Sequence, residues 1–164
     1  MTVKVRNAAP ADIKAVLRMV DAHNAFGGLP VGRLDAKTFR AAIFGKNAFV
    51  FCDLAESREE AGDGPIGYAL SYDCFTTDDG TRGLYVADLF VEEAWRREGA
   101  GSALMGAVAK RARKRGATHL WWTSQNKNYQ ARRFYRILNA TDQPVHAHAV
   151  DGDALDDLAA MRRR

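Results

Sequence analysis

The stretch WRREGAGSAL, residues 95–104, crowds two arginines and two glycines into the junction between an apolar run and a helix-like run. The first turn of a helix carries unpaired backbone N–H groups and a partial positive charge, which suits a phosphate. Glycines let oxygens approach without a Cβ in the way, and arginines at the rim add charge-assisted hydrogen bonds. The spacing excludes two common phosphate loops. Gly101 and Gly106 have Walker-type separation, but Ala107 and Val108 follow where Lys and Ser or Thr belong. Gly99 and Gly101 lack the third glycine of a dinucleotide fingerprint, because Leu104 stands there. What remains is R-x-x-G-x-G, Arg96 to Gly101, and by itself it fits an ordinary strand-to-helix turn equally well.

Other chemistry-bearing residues are sparser. Cys52 and Cys74 match no metal spacing and no disulfide framework, so they read as reduced and structural. His146 and His148 would share one face of a strand, with no third ligand at suitable spacing, so no metal is expected. His23 precedes a glycine-rich loop and could line a pocket. Lys110, Arg111, Arg113, Lys114 and Arg115 form a basic cluster that could meet nucleic acid, a phosphorylated ligand or only water.

The elements that must position these groups follow from periodicity. VKVRNA (3–8) reads as a strand, PADIKAVLRMVDAHNAF (10–26) as a helix with Ile13, Val16, Leu17 and Val20 on one face, and DAKTFRAAIF from Asp35 as a second helix. Three strand candidates follow, at 48–55, 66–73 and 83–91, joined by the polar turns ESREEAGDGP and CFTTDDGT as an antiparallel meander. From Ser102 the period is helical, with Leu104, Met105, Val108, Ala109 and Ala112 forming a stripe that ends at Gly116. THLWWTS (118–124) reads as a strand, 128–138 as a helix closed by Asn139, PVHAHAV (144–150) as a strand, and the last residues as a helix or tail.

The chain has 164 residues, 47% hydrophobic and 27% charged, with a net charge of +4, which suits a single globular domain spanning 1–164. No run approaches the roughly 18 apolar residues of a membrane span, and MTVKVRNAAP lacks the apolar stretch of a signal peptide. A cytoplasmic protein without a membrane partner is expected.

A second motif changes the weight of the first. N-x-x-A-x-x-F-Y, Asn128 to Tyr135, opens a helix directly after a strand. Together with R-x-x-G-x-G it resembles the GNAT superfamily of acyl-CoA-dependent N-acetyltransferases. LYVADLFVEEAWRREGAGSAL and ARRFYRILNA are similar to the diamine branch, the spermidine and spermine type. The resemblance implies a mixed α/β fold: a mostly antiparallel sheet with helices on both faces, splayed between the fourth and fifth strands. It implies acetyl-CoA as donor. The backbone of Leu89, Phe90 and Val91 would pair with the pantetheine arm, and one N–H would polarise the thioester carbonyl. Arg96 and the loop Arg97, Glu98, Gly99, Ala100, Gly101 and Ser102 would hold the pyrophosphate, while Asn128 to Ala131 would touch the other side of the pantetheine. Tyr135 falls where the family places the acid that protonates the departing thiolate, a role a phenol with an ordinary pKa of about 10 can fill in a dry site.

The acceptor side departs from the branch. The branch carries a glutamate in Y-x-E-D, whereas this chain reads Tyr85-Val86-Ala87-Asp88. Asp88 is the nearest carboxylate and could bind the acceptor ammonium or serve as base, although simple alternation points it away from the face of position 87. AHNAFGGLPVGR carries no carboxylate where the branch places acids for polyamines. Asp78 and Asp79 could recognise an ammonium or simply cap a solvated turn. Trp121, Trp122 and Thr123 are candidates for the acceptor wall, with one of the two tryptophans expected in the core. The expectation is direct transfer of acetyl to a primary amine of a small molecule (diamine, polyamine or amino-acid-like), by a homodimer as in the diamine branch. A GNAT enzyme acting on a protein or peptide amine is one alternative. A nonenzymatic acyl-CoA or nucleic-acid binding module is another; nucleic acid is not the expected partner.

Overall fold

Alternating apolar residues and polar turns build the sheet that carries everything else. In the computed structural model, which describes residues 2–57 and 64–161, strands β1 (Val3–Asn7), β2 (Phe51–Ser57), β3 (Pro65–Thr76), β4 (Thr81–Val91) and β5 (His119–Trp121) lie side by side in that order. The first four are antiparallel to their neighbours, and β5 runs parallel to β4. Most of the expected turn between β2 and β3 lies outside the described residues, as does the arginine end of the expected C-terminal helix.

Helix α1 (Ile13–Phe26) follows a short 3-10 turn at Pro10–Asp12, and α2 (Ala36–Phe44) is capped by Asp35, whose Oδ1 accepts from the backbone N–H of Lys37 and Thr38 at 2.8 and 2.9 Å. Ile13, Val16, Met19 and Val20 of α1 pack with Phe39 of α2 against Cys52, Leu54, Tyr68, Leu70 and Phe90 of the sheet. The stripe therefore buries Met19 more deeply than Leu17, which is only partly covered.

Helix α3 (Ala100–Lys114) covers the other face with Ala100, Leu104, Met105, Val108 and Ala112 buried. It begins two residues before the expected Ser102, because Gly99 takes a left-handed φ of 87° and serves as its cap. Arg111 of this helix grips Asp53, and Arg115 donates to Asp73 at 2.9 Å. Both guanidiniums also lie over the Phe51 ring, at 5.1 and 4.7 Å.

Three expected strands change, and the one at 118–124 forms only over His119–Trp121. Residues 48–50 are not part of β2, since the N–H groups of Ala48, Phe49 and Val50 turn back to Gly45 and Ala42 at the end of α2. PVHAHAV is not a strand at all; residues 144–150 are exposed and outside any ladder. A strand needs a neighbour for its backbone groups, and the edge strand β5 ends at Trp121. Helices α4 (Tyr129–Ile137) and α5 (Gly152–Ala160) complete the order. The chain groups into two compact units, Met1–Gln125 and Asn126–Arg164.

Candidate active site

The register of β4 decides what the site contains. Leu70 pairs with Asp88, but the next residue of β3, Ser71, pairs with Val86, so Ala87 is a bulged extra residue. Below the bulge, Leu84 and Val86 face α3, as does Asp73, the partner of Leu84 that Arg115 holds. Beyond it, Asp88 and Phe90 face α1. Tyr85, opposite Tyr72 with ring centroids 5.2 Å apart, shares that face. The bulge thus puts Tyr85 and Asp88 on one side although they are three positions apart.

β5 matches β4 only at Gly83, Leu84 and Tyr85. From Val86 to Val91, β4 pairs with β3 on one side and, among the described residues, with no strand on the other. Leu89, Phe90 and Val91 therefore border the splay between the fourth and fifth strands.

The strand leads into the glycine loop through a 3-10 turn at Glu93–Trp95. Arg96 folds back, donating Nε to the Val91 carbonyl at 3.0 Å and lying 4.9 Å from the Phe26 ring centroid and 5.9 Å from that of Phe90. It ties the loop to the strand. Arg97 and Gly99 both adopt left-handed φ values, 68° and 87°, while Glu98 between them is exposed. The first-turn N–H groups of Ala100, Gly101 and Ser102 have no intrahelical acceptor, which leaves them for an anion.

A polar cluster sits on the α1 face of β4. His23 Nδ1 lies 3.1 Å from the Tyr68 hydroxyl and 3.8 Å from Asp88 Oδ1, and the His23 and Phe90 ring centroids are 5.4 Å apart. Tyr68 is wholly buried, and burial, helped by the Asp88 charge, holds its phenol far above the ordinary range. Burial also pushes the Asp88 carboxyl up, with the facing His23 and a hydrogen bond to Tyr68 pulling partly against it. In the sequence Tyr68 is only one more aromatic in a strand. Its place opposite Phe90 and beside Asp88 depends on the bulge, which no local pattern announces.

Other expected residues take up clear positions. Trp121 is 43% exposed and Trp122 is intermediate, so neither tryptophan is a core residue as expected for one of them. Thr123 bonds the Tyr85 hydroxyl at 3.1 Å, which links the end of β5 to the Asp88 face. Asp79 accepts from the Thr81 backbone and hydroxyl at 3.2 and 2.7 Å and so shapes its own turn. Burial raises the Cys52 thiol to about 12, so it is a poor nucleophile. His146 and His148 are exposed, and no group of three metal-ligating side chains occurs among the described residues.

Asn128, Ala131 and Tyr135 belong to the second compact unit. Asn128 caps α4, its Oδ1 accepting from the Ala131 N–H at 3.1 Å. The spacing of N-x-x-A is thus that of a helix start. Tyr135 is half-buried beside Phe134, at 5.4 Å between ring centroids, and burial pushes its phenol up. Asn139 closes the segment at a left-handed φ of 57°, as its side-chain type suggests.

This geometry meets a family match over residues 18–139, and the chain belongs to the acetyltransferase (GNAT) family. It is an acetyl-CoA-dependent N-acetyltransferase. Thialysine N-epsilon-acetyltransferase of Sus scrofa is 29% identical over 96% of this chain and 98% of its own length, in keeping with the diamine-type resemblance. L-ornithine N5-acetyltransferase of Arabidopsis thaliana is 34% identical, over 45% of this chain and 32% of its own. An aminoglycoside acetyltransferase from an uncultured soil metagenomic sample, solved in complex with sisomicin, shares the fold at a TM-score of 0.74 and 18% identity, with 92% and 97% of the two chains covered. An integron cassette protein from the mobile metagenome of V. cholerae superposes at a TM-score of 0.76 and 21% identity, covering 98% and 99%.

Proposed function

We propose that the protein transfers acetyl to a primary amine of a small molecule, of the diamine or amino-acid type, by direct attack on the thioester. The observation that carries this reading is the free side of β4 from Val86 to Val91, with the glycine loop at one end and Asp88 beside it. An extended pantetheine can add to that edge as a strand would, and an N–H of Leu89, Phe90 or Val91 can stabilise the developing oxyanion. Arg96, Arg97 and the N–H groups through Ser102 hold the pyrophosphate, Asn128 and Ala131 border the pantetheine, and Tyr135 protonates the leaving thiolate. Burial of Tyr135 keeps its proton in place until a thiolate appears.

Acceptor chemistry follows from the relatives, which act on thialysine and ornithine, and from Asp88, which can hold an ammonium. Trp121, Trp122 and Thr123 form the acceptor wall. Two of the five basic side chains at 110–115, Arg111 and Arg115, are engaged with Asp53 and Asp73, which weakens a nucleic-acid role. The whole chain acts as one catalytic domain in the cytoplasm, as a homodimer that covers apolar side chains such as Val145, Val150, Leu155 and Leu158, each at least half exposed in the single chain.

Thiol release from acetyl-CoA across thialysine, L-ornithine, spermidine, sisomicin and a lysine-bearing peptide tests the reading. Turnover should be fastest with a small diamine or diamino acid. Turnover on the peptide alone would transfer the function to protein amines, and light scattering of the purified protein reads the dimer.

A further inference from the structure

Within the function proposed above, on which this rests, an amine that arrives as an ammonium must lose a proton before it can attack. Ala87 stands where the diamine branch has its glutamate, so the proton must go elsewhere. We infer that His23 takes that proton through Nε2, with Tyr68 and Asp88 holding its ring for the task.

The three side chains divide the work by exposure and hydrogen-bond capacity. Tyr68 is wholly buried and cannot meet a substrate or return a proton to water. Asp88 and Tyr68 both face the His23 ring from the sheet. The Tyr68 hydroxyl oxygen lies 3.1 Å from His23 Nδ1 and can accept a hydrogen from it. Asp88 Oδ1, 3.8 Å from the same nitrogen, favours a proton there. That tautomer leaves the lone pair on Nε2, which no hydrogen bond among the described residues engages. The His23 side chain is 31% exposed, so it can receive a proton from an amine and pass it to solvent. The other charged groups nearby are committed: Arg96 lies on Phe26 and Phe90, and Arg18 pairs with Glu92 at 2.7 Å.

The balance of the step is simple. His23 Nε2 gains one proton from the ammonium, and the freed amine forms the N–C bond as the C–S bond breaks. The attacking nitrogen gives up a second proton as the amide forms, the thiolate takes up one, and His23 returns its proton to water.

Two measurements test this. In the first, kcat/KM is followed against pH with the fastest amine of the panel. His23→Gln should lower it about 10²-fold near neutral pH and leave CoA affinity unchanged. The rate should recover as rising pH deprotonates the amine itself. Asp88→Asn, which removes the charge facing Nδ1, should lower the rate less than His23→Gln does. A rate equal to wild type in His23→Gln, or a loss confined to Asp88→Asn, overturns the inference. In the second, 15N NMR of the histidines in the wild-type protein, with His23→Gln for assignment, should find His23 protonated at Nδ1 and bare at Nε2 near neutral pH. The opposite tautomer overturns it whether or not any amine is turned over. Failure of every small amine would sink the proposed acceptor class and leave this second result standing.

Discussion

Arg111 reaches from α3 across the sheet to close two guanidinium nitrogens on the Asp53 carboxylate, one of them at 2.8 Å, while Nη2 also meets Asn7 Oδ1 at 2.6 Å. Asp53 is 2% exposed, so this pair stands in the sheet–helix interface and not in solvent. Arg111→Ala leaves a buried carboxylate without its cation, a change that costs about 3 to 5 kcal/mol in comparable sites. Urea unfolding should show a loss of that size, and Asp53→Leu combined with Arg111→Met should restore most of it.

Arg97 is held at a φ of 68°, a conformation glycine adopts without penalty. Arg97→Gly should therefore stabilise the fold by about 1 kcal/mol and weaken CoA binding several-fold. Calorimetric titration with CoA reads the second effect. Unchanged affinity would remove Arg97 from the pyrophosphate site.

Tyr135→Phe keeps the ring and removes the proton. Turnover should fall about 10²-fold while CoA affinity stays within a factor of two. A turnover equal to wild type would make Tyr135 a packing residue of α4.

Arg6 donates to Asp12 at 2.6 and 2.9 Å, and this hydrogen bond, opposed by burial, holds the Asp12 carboxyl below the ordinary range. A carboxyl depressed on folding stabilises the native state at pH above its unfolded value, about 3.9, and loses that stabilisation as the pH falls further. Asp12→Asn should be less stable than wild type at pH 7, with the difference shrinking steadily below about pH 4. A difference independent of pH would show that the Asp12 charge contributes nothing to stability through Arg6 or through the Ala9 N–H, which donates to Asp12 at 2.7 Å.

The parts of the molecule that could be read from sequence are those where residue type acts on its own backbone. Asp35 at the start of α2, Asn139 after α4 and most of the stripe of α1 express local rules, whereas Gly99 starts α3 two residues ahead of the helical period. PVHAHAV misled because alternation describes a strand's faces but cannot supply its neighbour. The His23–Tyr68–Asp88 cluster was hidden for a related reason. It exists only because Ala87 slips the register of β4 against β3, and register belongs to the pair of strands and to neither sequence alone.

The free side of β4 also has a meaning for the protein at rest. Unpaired strand edges are hazards that proteins place at the rim of a sheet and blunt there, with charge, proline or short length. Among the described residues the unpaired ladder lies between β4 and β5, inside the sheet, and its residues Leu89, Phe90 and Val91 are apolar. If the donor lies along it as proposed, thioester and spent coenzyme would both mask it, so the nucleotide pool would act as a chaperone for the enzyme that draws on it. Starved of CoA, the protein should be at its most prone to self-association.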